Sequence, residues 1–223
     1  MIVRLSYNID SKTPVYGGGE GFSSEPVRSI RKGDTCNTSK WVLPNHIGTH
    51  IDFPYHFYEN GQTIEDYPED FWIINGEKVQ VIEVEMPENE LIVKTKHVKT
   101  TSLNNSSEFV IVKTGFGKHR TQKKYETHNP GLGEDFSDWI LQNFKKIKII
   151  GLDSVSISSR QHRDVGRMVH KKFLNPKKPV LIIEDMDLTK ISSKTKINEI
   201  IIAPIIVSKT NATLCTIFAK IKK

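Results

Sequence analysis

Apolar residues fall along this chain in strand-length, β-branched runs at positions 2–9, 41–43, 79–84, 109–113, 147–152, 180–183, 199–207 and 214–221. Each run ends near Gly, Pro, Asn or Asp, which form turns and break ladders, so each predicts a β-strand. Two stretches carry helical spacing instead. Residues 135–145 place Phe136, Trp139, Ile140 and Phe144 three and four apart, after Pro130-Gly131. Residues 160–174 carry Val165, Met168, Val169 and Phe173 and stop before Asn175-Pro176, where proline bars a further turn. The pattern predicts a single α/β domain over residues 1–223, strand-rich, with its two main helices in the C-terminal half.

Composition narrows the classes. The 223 residues are 37% hydrophobic and 26% charged, a globular balance. The longest apolar run, 200–207, contains Pro204 and falls far short of the roughly 20 residues a membrane span needs, so no membrane partner is expected. The opening residues reach Asp10 without a signal-peptide core. Two cysteines, Cys36 and Cys215, exclude a disulfide scaffold and suit a reducing compartment, so the cytoplasm is expected. The net charge of +6 raises the question of nucleic acid. Its lysines are scattered, and the densest basic stretch, 117–126, has no recognised nucleic-acid motif beside it. It reads as a solvated face, with no nucleic-acid partner.

Candidate chemistry sits between Pro44 and Phe57. His46, Gly48, His50, Asp52, Pro54 and His56 are all even; Ile47, Thr49, Ile51, Phe53, Tyr55 and Phe57 are all odd. An extended chain sends alternate side chains to opposite faces, so one face would carry three imidazoles and a carboxylate. The opposite row is almost wholly apolar. Imidazole with carboxylate suits zinc, and also manganese or iron. Fully extended, the segment would span roughly 33 Å, whereas ligands lie about 2 Å from a metal. The chain must therefore curl around its ion, and Gly48 and Pro54 are the residues that permit a bend. His50 and Asp52 are the natural pair for one ion.

The eleven-residue pattern His46-x-Gly48-Thr49-His50-x-Asp52-x-Pro54-x-His56 resembles the signature of the cyclase-like metal-dependent hydrolases, which include bacterial kynurenine formamidase and isatin hydrolase. The resemblance extends through Thr114-Gly115, Pro130-Gly131-Leu132, the segment Gly151–Ile157, His170 to Leu174, and Val180 to Glu184. It implies a compact swivelling β/β/α domain that assembles as a homodimer or homotetramer. It implies that His46, His50 and Asp52 hold one ion, and that Asp52 bridges to a second ion completed by His170 and Glu184. The formamidases use two zincs and some relatives a single manganese; two zincs are the expectation here. His56 is implied as the general acid/base.

Read alone, Glu184 would be a solvated strand end, with Asp185 and Asp187 as competitors; the match to the ligand pattern selects it. His97 reads as part of an exposed strand, His119 and His128 as residues of a polar stretch, and His162 as a surface helix residue. A metal ion acidifies a bound water toward pH 7 and polarises an amide carbonyl, and an imidazole near neutral pKa carries the proton. The expected reaction is hydrolysis of a non-peptide C–N bond in a small-molecule amide or lactam. The arylformamidase version turns N-formylkynurenine into kynurenine and formate in tryptophan breakdown. The alternatives are hydrolysis of another small amide, lactam or ester, or a non-catalytic metal-binding scaffold. The glycine-rich segment Pro14–Gly19 is expected to act as a flap, and Asn45 to orient a ligand. The stretch Thr210–Cys215 departs from the family's usual Gly-x-Pro-x-Arg-like turn and leaves the substrate open.

Overall fold

The structure, a computed structural model, describes residues 1–87 and 89–222. Its strands are β1 (Ile2–Arg4), β2 (Ser23–Arg28), β3 (Thr38–Val42), β4 (His50–Asp52), β5 (Ile73–Asn75), β6 (Val79–Glu83), β7 (Ile92–Val93), β8 (Phe109–Lys113), β9 (Gly131–Leu132), β10 (Ile149–Leu152), β11 (Leu181–Glu184), β12 (Ile197–Pro204) and β13 (Ala212–Ile221). Three α-helices accompany them: α1 (Lys124–Thr127), α2 (Glu134–Asn143) and α3 (Arg163–Phe173).

A nine-stranded mixed sheet organises the molecule, in the order β5-β12-β13-β4-β11-β10-β8-β6, with β1 also paired to β13. β6, β8, β10 and β11 are parallel neighbours. β4 runs antiparallel to both β11 and β13. The sheet therefore changes character at β4, where the parallel half meets the antiparallel half. Such a crevice at the carboxyl ends of parallel strands is where α/β sheets place ligands.

Both faces of the sheet are covered, which explains why β8, β10 and β11 read as unbroken apolar runs. On one face Phe109, Ile111, Ile149 and Ile183 pack with Leu5, Phe53 and Ile217. On the other, Val110, Val112, Ile150 and Ile182 pack with Phe136 and Ile140 of α2 and Val169 and Phe173 of α3. The helices thus bury most of their periodic stripes where the spacing predicted, but Met168 of α3 is 45% exposed.

Some segments differ from expectation. The run 2–9 is strand only at Ile2–Arg4, with a further bridge from Ser6 to Met186. The run 41–43 ends an exposed two-stranded ribbon, β2–β3, and contributes nothing to the core. His97 is in a 3-10 turn, Thr95–His97, and is buried; its Nδ1 accepts from Lys94 N at 2.9 Å and its Nε2 lies 2.9 Å from Glu90 Oε2. The exposed-strand reading of His97 is therefore corrected: the lysines at 94, 96 and 99 suggested a solvated strand, but the imidazole closes the turn. No described helix is long and apolar enough to cross a membrane.

Candidate metal centre

The segment 46–56 does not run straight. Gly48 adopts φ +59°, a left-handed conformation that favours glycine. A Cβ there would lie 2.2 Å from Ile9 Cδ1. Three residues of strand follow, and Pro54 then opens a 3-10 turn, Pro54–His56, its fixed φ suited to the first position. The chain bends at both residues singled out for bending. Alternation holds across β4: Ile51 and Phe53 enter the core while His50 and Asp52 face the crevice. Tyr55, at 42% exposure, leaves the apolar row because the turn has already ended the strand's period.

Register supplies the next carboxylate. Glu184 is the direct antiparallel partner of His50, so the carboxyl end of β11 meets the start of β4. His50 Nε2 stands 3.5 Å from both Asp52 Oδ1 and Glu184 Oε2. His170, from α3, places Nε2 3.8 Å from Asp52 Oδ2 and 3.6 Å from Glu184 Oε1. His46 Nδ1 lies 3.1 Å from Asp52 Oδ1. The His56 ring centroid is 4.2 Å from that of His46 and 5.9 Å from that of His170. All six residues expected from the sequence therefore meet at one place.

The donors are aimed. His50 Nδ1 and His170 Nδ1 each lie 2.8 Å from a backbone carbonyl, of Gly48 and Gly166 respectively. With Nδ1 directed at that carbonyl, each Nε2 faces the carboxylates and is the atom available as a ligand. Glu184 Oε1 accepts from Ile157 N at 2.7 Å and Ser156 Oγ at 3.0 Å, which leaves Oε2 facing His50. Asp52, His50, Glu184 and His170 are only 1% to 5% exposed, so their charges are largely desolvated.

His46 Nε2, His50 Nε2 and Asp52 Oδ1 are buried without a hydrogen-bond partner among the described residues. Leaving a buried polar atom unpaired costs about 1–3 kcal/mol. A convergence of such atoms from imidazoles and carboxylates fits a divalent cation such as zinc or manganese. Two groups of three donors can each close on one point: His46, Asp52 and His56, and His50, Asp52 and Glu184. They share Asp52, and His50 stands between its two carboxylate neighbours.

Electrostatics follow burial and partners. Burial opposes ionisation of Asp52, but the neighbouring His46 and His50 hold it below the ordinary carboxylate range. Burial pushes His56 down to about 4, outweighing the attraction of Asp52. His46 and His170 are also penalised by burial, yet rise because Asp52 and Glu184 respectively favour their charged forms.

The late acidic pair is resolved by direction. Asp185, with φ +51°, turns its carboxylate away from the cluster. Arg120 grips it through Nε at 2.9 Å and Nη2 at 2.7 Å, and Tyr125 OH donates to it at 2.6 Å. Thr49 Oγ1 donates to the Asp185 carbonyl at 2.5 Å and accepts from Tyr7 N, tying the motif to β11. Asp187 accepts from Thr189 in its own turn. The basic stretch 117–126 is thus partly turned inward: Arg120 and Tyr125 brace the end of β11, and Glu126 accepts from Val15 N beside the glycine-rich segment. That segment forms a 3-10 turn, Tyr16–Gly18, with Gly17 and Gly18 at positive φ. Asn45 donates to Asn211 and to the Ala212 carbonyl, so it pins the motif to β13.

The cluster opens into a cavity of about 430 Å³ lined also by Tyr16, Phe57, Val155, Arg163 and Arg167. A larger cavity of about 570 Å³, near Thr114 and Phe116, contains none of the six cluster residues. His119, His128 and His162 lie outside the cluster. Sequence reasoning missed Arg163 and Arg167, whereas Tyr16 falls in the glycine-rich segment expected beside the pocket. The two arginines had a legible signal, since 163, 167 and 170 recur at i, i+4 and i+7 on one helix face.

Comparison with known proteins follows the same line. Cyclase-like protein 3 of Arabidopsis thaliana is 26% identical over 195 residues, 84% of this chain and 68% of that protein. A kynurenine formamidase of Bacillus thuringiensis subsp. konkukian is 23% identical over 164 residues, 74% of this chain and 73% of that one. The chain spans about two thirds of the length of the plant relatives it matches. Isatin hydrolase A from Labrenzia aggregata, solved bound to benzyl benzoate, superposes with a TM-score of 0.78 at 16% identity, covering 100% of this chain and 94% of that one. A potential metal-dependent hydrolase with cyclase activity superposes at 0.71 and 18% identity, covering 98% of this chain and 96% of that one. At these identities the structural likeness is one of fold. The family described as "Putative cyclase" matches residues 3–159, and with its strand-rich metal-dependent-hydrolase fold the chain belongs to the cyclase family.

Proposed function

We propose that this protein is a metal-dependent hydrolase of a non-peptide C–N bond, with N-formylkynurenine hydrolysis to kynurenine and formate as the leading reaction. The observation that carries the reading is the convergence of His46, His50, Asp52, His170 and Glu184, with buried lone pairs left unpaired, at the foot of a small-molecule-sized cavity. These five residues would hold the metal, zinc with two ions favoured, or manganese. When bound, the metal supplies Lewis acidity toward water and toward the amide carbonyl. Glu184 is oriented by Ser156 and Ile157, and His170 by Gly166, so the set is preorganised. His56, beside His46, takes the proton of the attacking water and returns it to the leaving nitrogen. Phe57, stacked on His170 at 4.8 Å, offers an apolar wall to an aryl group. Hydrolysis of a lactam is the second reading, favoured by the superposition on isatin hydrolase A.

We also propose a cytoplasmic homodimer or homotetramer. Free Cys36 and Cys215 suit the compartment, and the ribbon β2–β3 supplies the contact surface.

The test combines elemental analysis with assays on N-formylkynurenine and isatin. Bound zinc or manganese near one or two ions per chain, lost in His50→Ala, with formate release in the parent, is the expected result. Metal retained in full by His50→Ala would overturn the site assignment. A loaded protein that hydrolyses neither compound would overturn the leading and second reactions.

A further inference from the structure

α3 brings more than His170 to the cavity. Arg163 and Arg167 line it from the same helix face, two turns and one turn before His170 respectively. α3 is held close to the site: a Cβ on Gly166 would lie 2.0 Å from Ser158 Oγ. Arg167 is engaged by Asp164 at 2.9 Å in an exposed i, i+3 pair, the kind that contributes little. The Arg163 guanidinium makes no ion pair or hydrogen bond among the described residues. Glu20 lines the same cavity and pairs with neither guanidinium.

Tyr16 registers both sides of this cavity. Burial is the main reason its phenol is held above the ordinary value. Among the charges acting on it, Arg163 opposes that rise most, Glu184 adds to it, and Arg160 and Arg167 oppose it in turn. One half-buried ring therefore feels the carboxylate of the metal cluster and three guanidiniums together. The cavity joins the buried donor cluster to two exposed arginines, and Tyr16, Phe57 and Val155 also line it.

We infer that the substrate carries a carboxylate away from the bond that is cut, and that Arg163, supported by Arg167, binds that carboxylate and makes the enzyme selective for anionic amides. A planar guanidinium matches a carboxylate bidentately. Its free charge also draws anions toward the cluster. The inference rests on the amide-hydrolase reading and specifies its substrate class.

The experiment uses the metal-loaded full chain with formanilide, 4-formamidobenzoate and 4-(aminomethyl)formanilide, which differ only in the charge across the ring. The parent should prefer the benzoate over formanilide by about tenfold or more in kcat/KM, chiefly through KM, as one charge-assisted contact allows. The preference should shrink with added salt. Arg163→Met should bring the ratio near one, Arg163→Lys should restore part of it, and Arg163→Glu should turn the preference toward the amine. Arg163 is exposed, so these variants should fold as the parent does. A ratio near one in the parent, or a ratio unmoved by Arg163→Met, would overturn the inference and leave the hydrolase reading standing. If none of the three is hydrolysed, the hydrolase reading is decided by N-formylkynurenine and isatin, and calorimetric affinities for benzoate and benzamide decide the inference. A benzoate preference abolished by Arg163→Met supports it; one retained means that the metal alone holds the anion.

Discussion

His56 stands beside His46, 4.2 Å ring to ring, and its donor atom can share a point with His46 and Asp52. Proximity alone therefore fits either a ligand or an acid/base. The two roles separate on removal of the ring. The family resemblance implies His46, His50 and Asp52 as the ligand set without it, so His56→Ala should keep its metal and lose about 10²-fold or more in kcat. Metal content per chain, measured on the same sample as the rate, checks both halves. A variant that loses the metal as well would make His56 a ligand. At this scale the sequence was informative because metal chemistry restricts residue type: few side chains other than imidazole and carboxylate serve, four of them carried the pattern at 46–56, and the family resemblance added His170 and Glu184. Arg163 escaped notice because an exposed arginine on a helix is ordinary until the fold shows a cavity beneath it. Arg120 escaped for a different reason. Its partner Asp185 is 65 positions away, and no local pattern distinguishes a buried guanidinium from a solvated one.

Among the elements, β8, β10, β11, α2 and α3 were legible because burial on both faces, or on one helical stripe, writes a strong period into the sequence. β4 was legible only through the alternation of its ligands with apolar residues, since a strand of His-Ile-Asp carries ligands in place of strand formers. β5 and β7 are two or three residues long and lack enough period to register. The ribbon β2–β3 was half seen, and it is the element with most left to bury. Each of its eleven residues is exposed, including Val27 at 65% and Trp41 at 67%. A two-stranded ribbon alone is marginally stable in water, and apolar surface of this kind marks a contact. Val27→Lys combined with Trp41→Lys should therefore convert a dimer or tetramer into monomers, read by sedimentation or light scattering. A monomeric parent would remove the basis for the oligomer, and an oligomeric double variant would move the interface elsewhere.

Across the whole molecule, the site joins distant segments. His170 and Glu184 lie more than 110 positions beyond Asp52, and only the pairing of β4 with β11 and the packing of α3 bring them together. Asp52 and Glu184 are two carboxylates buried at 1% and 4% exposure on either side of His50. Like charges placed so oppose one another in a desolvated site, and a cation between them reverses that cost. An ion held by both halves of the chain should therefore stabilise the fold by mass action, by on the order of 4 kcal/mol when free metal exceeds Kd a thousandfold. For a chain of this size that is roughly 8–16 °C in Tm. Glu184→Gln tests the link without removing the side chain's supports, because the amide oxygen can still accept from Ile157 N and Ser156 Oγ. If Asp52 bridges two ions, this variant should release about one ion per chain, keep the other, melt lower than the parent and lose most activity. If one ion is held by His46, His50 and Asp52, the variant should keep its metal and its metal-dependent Tm while losing rate. Unchanged metal, Tm and rate together would remove Glu184 from the centre and return it to the role of a buried strand end.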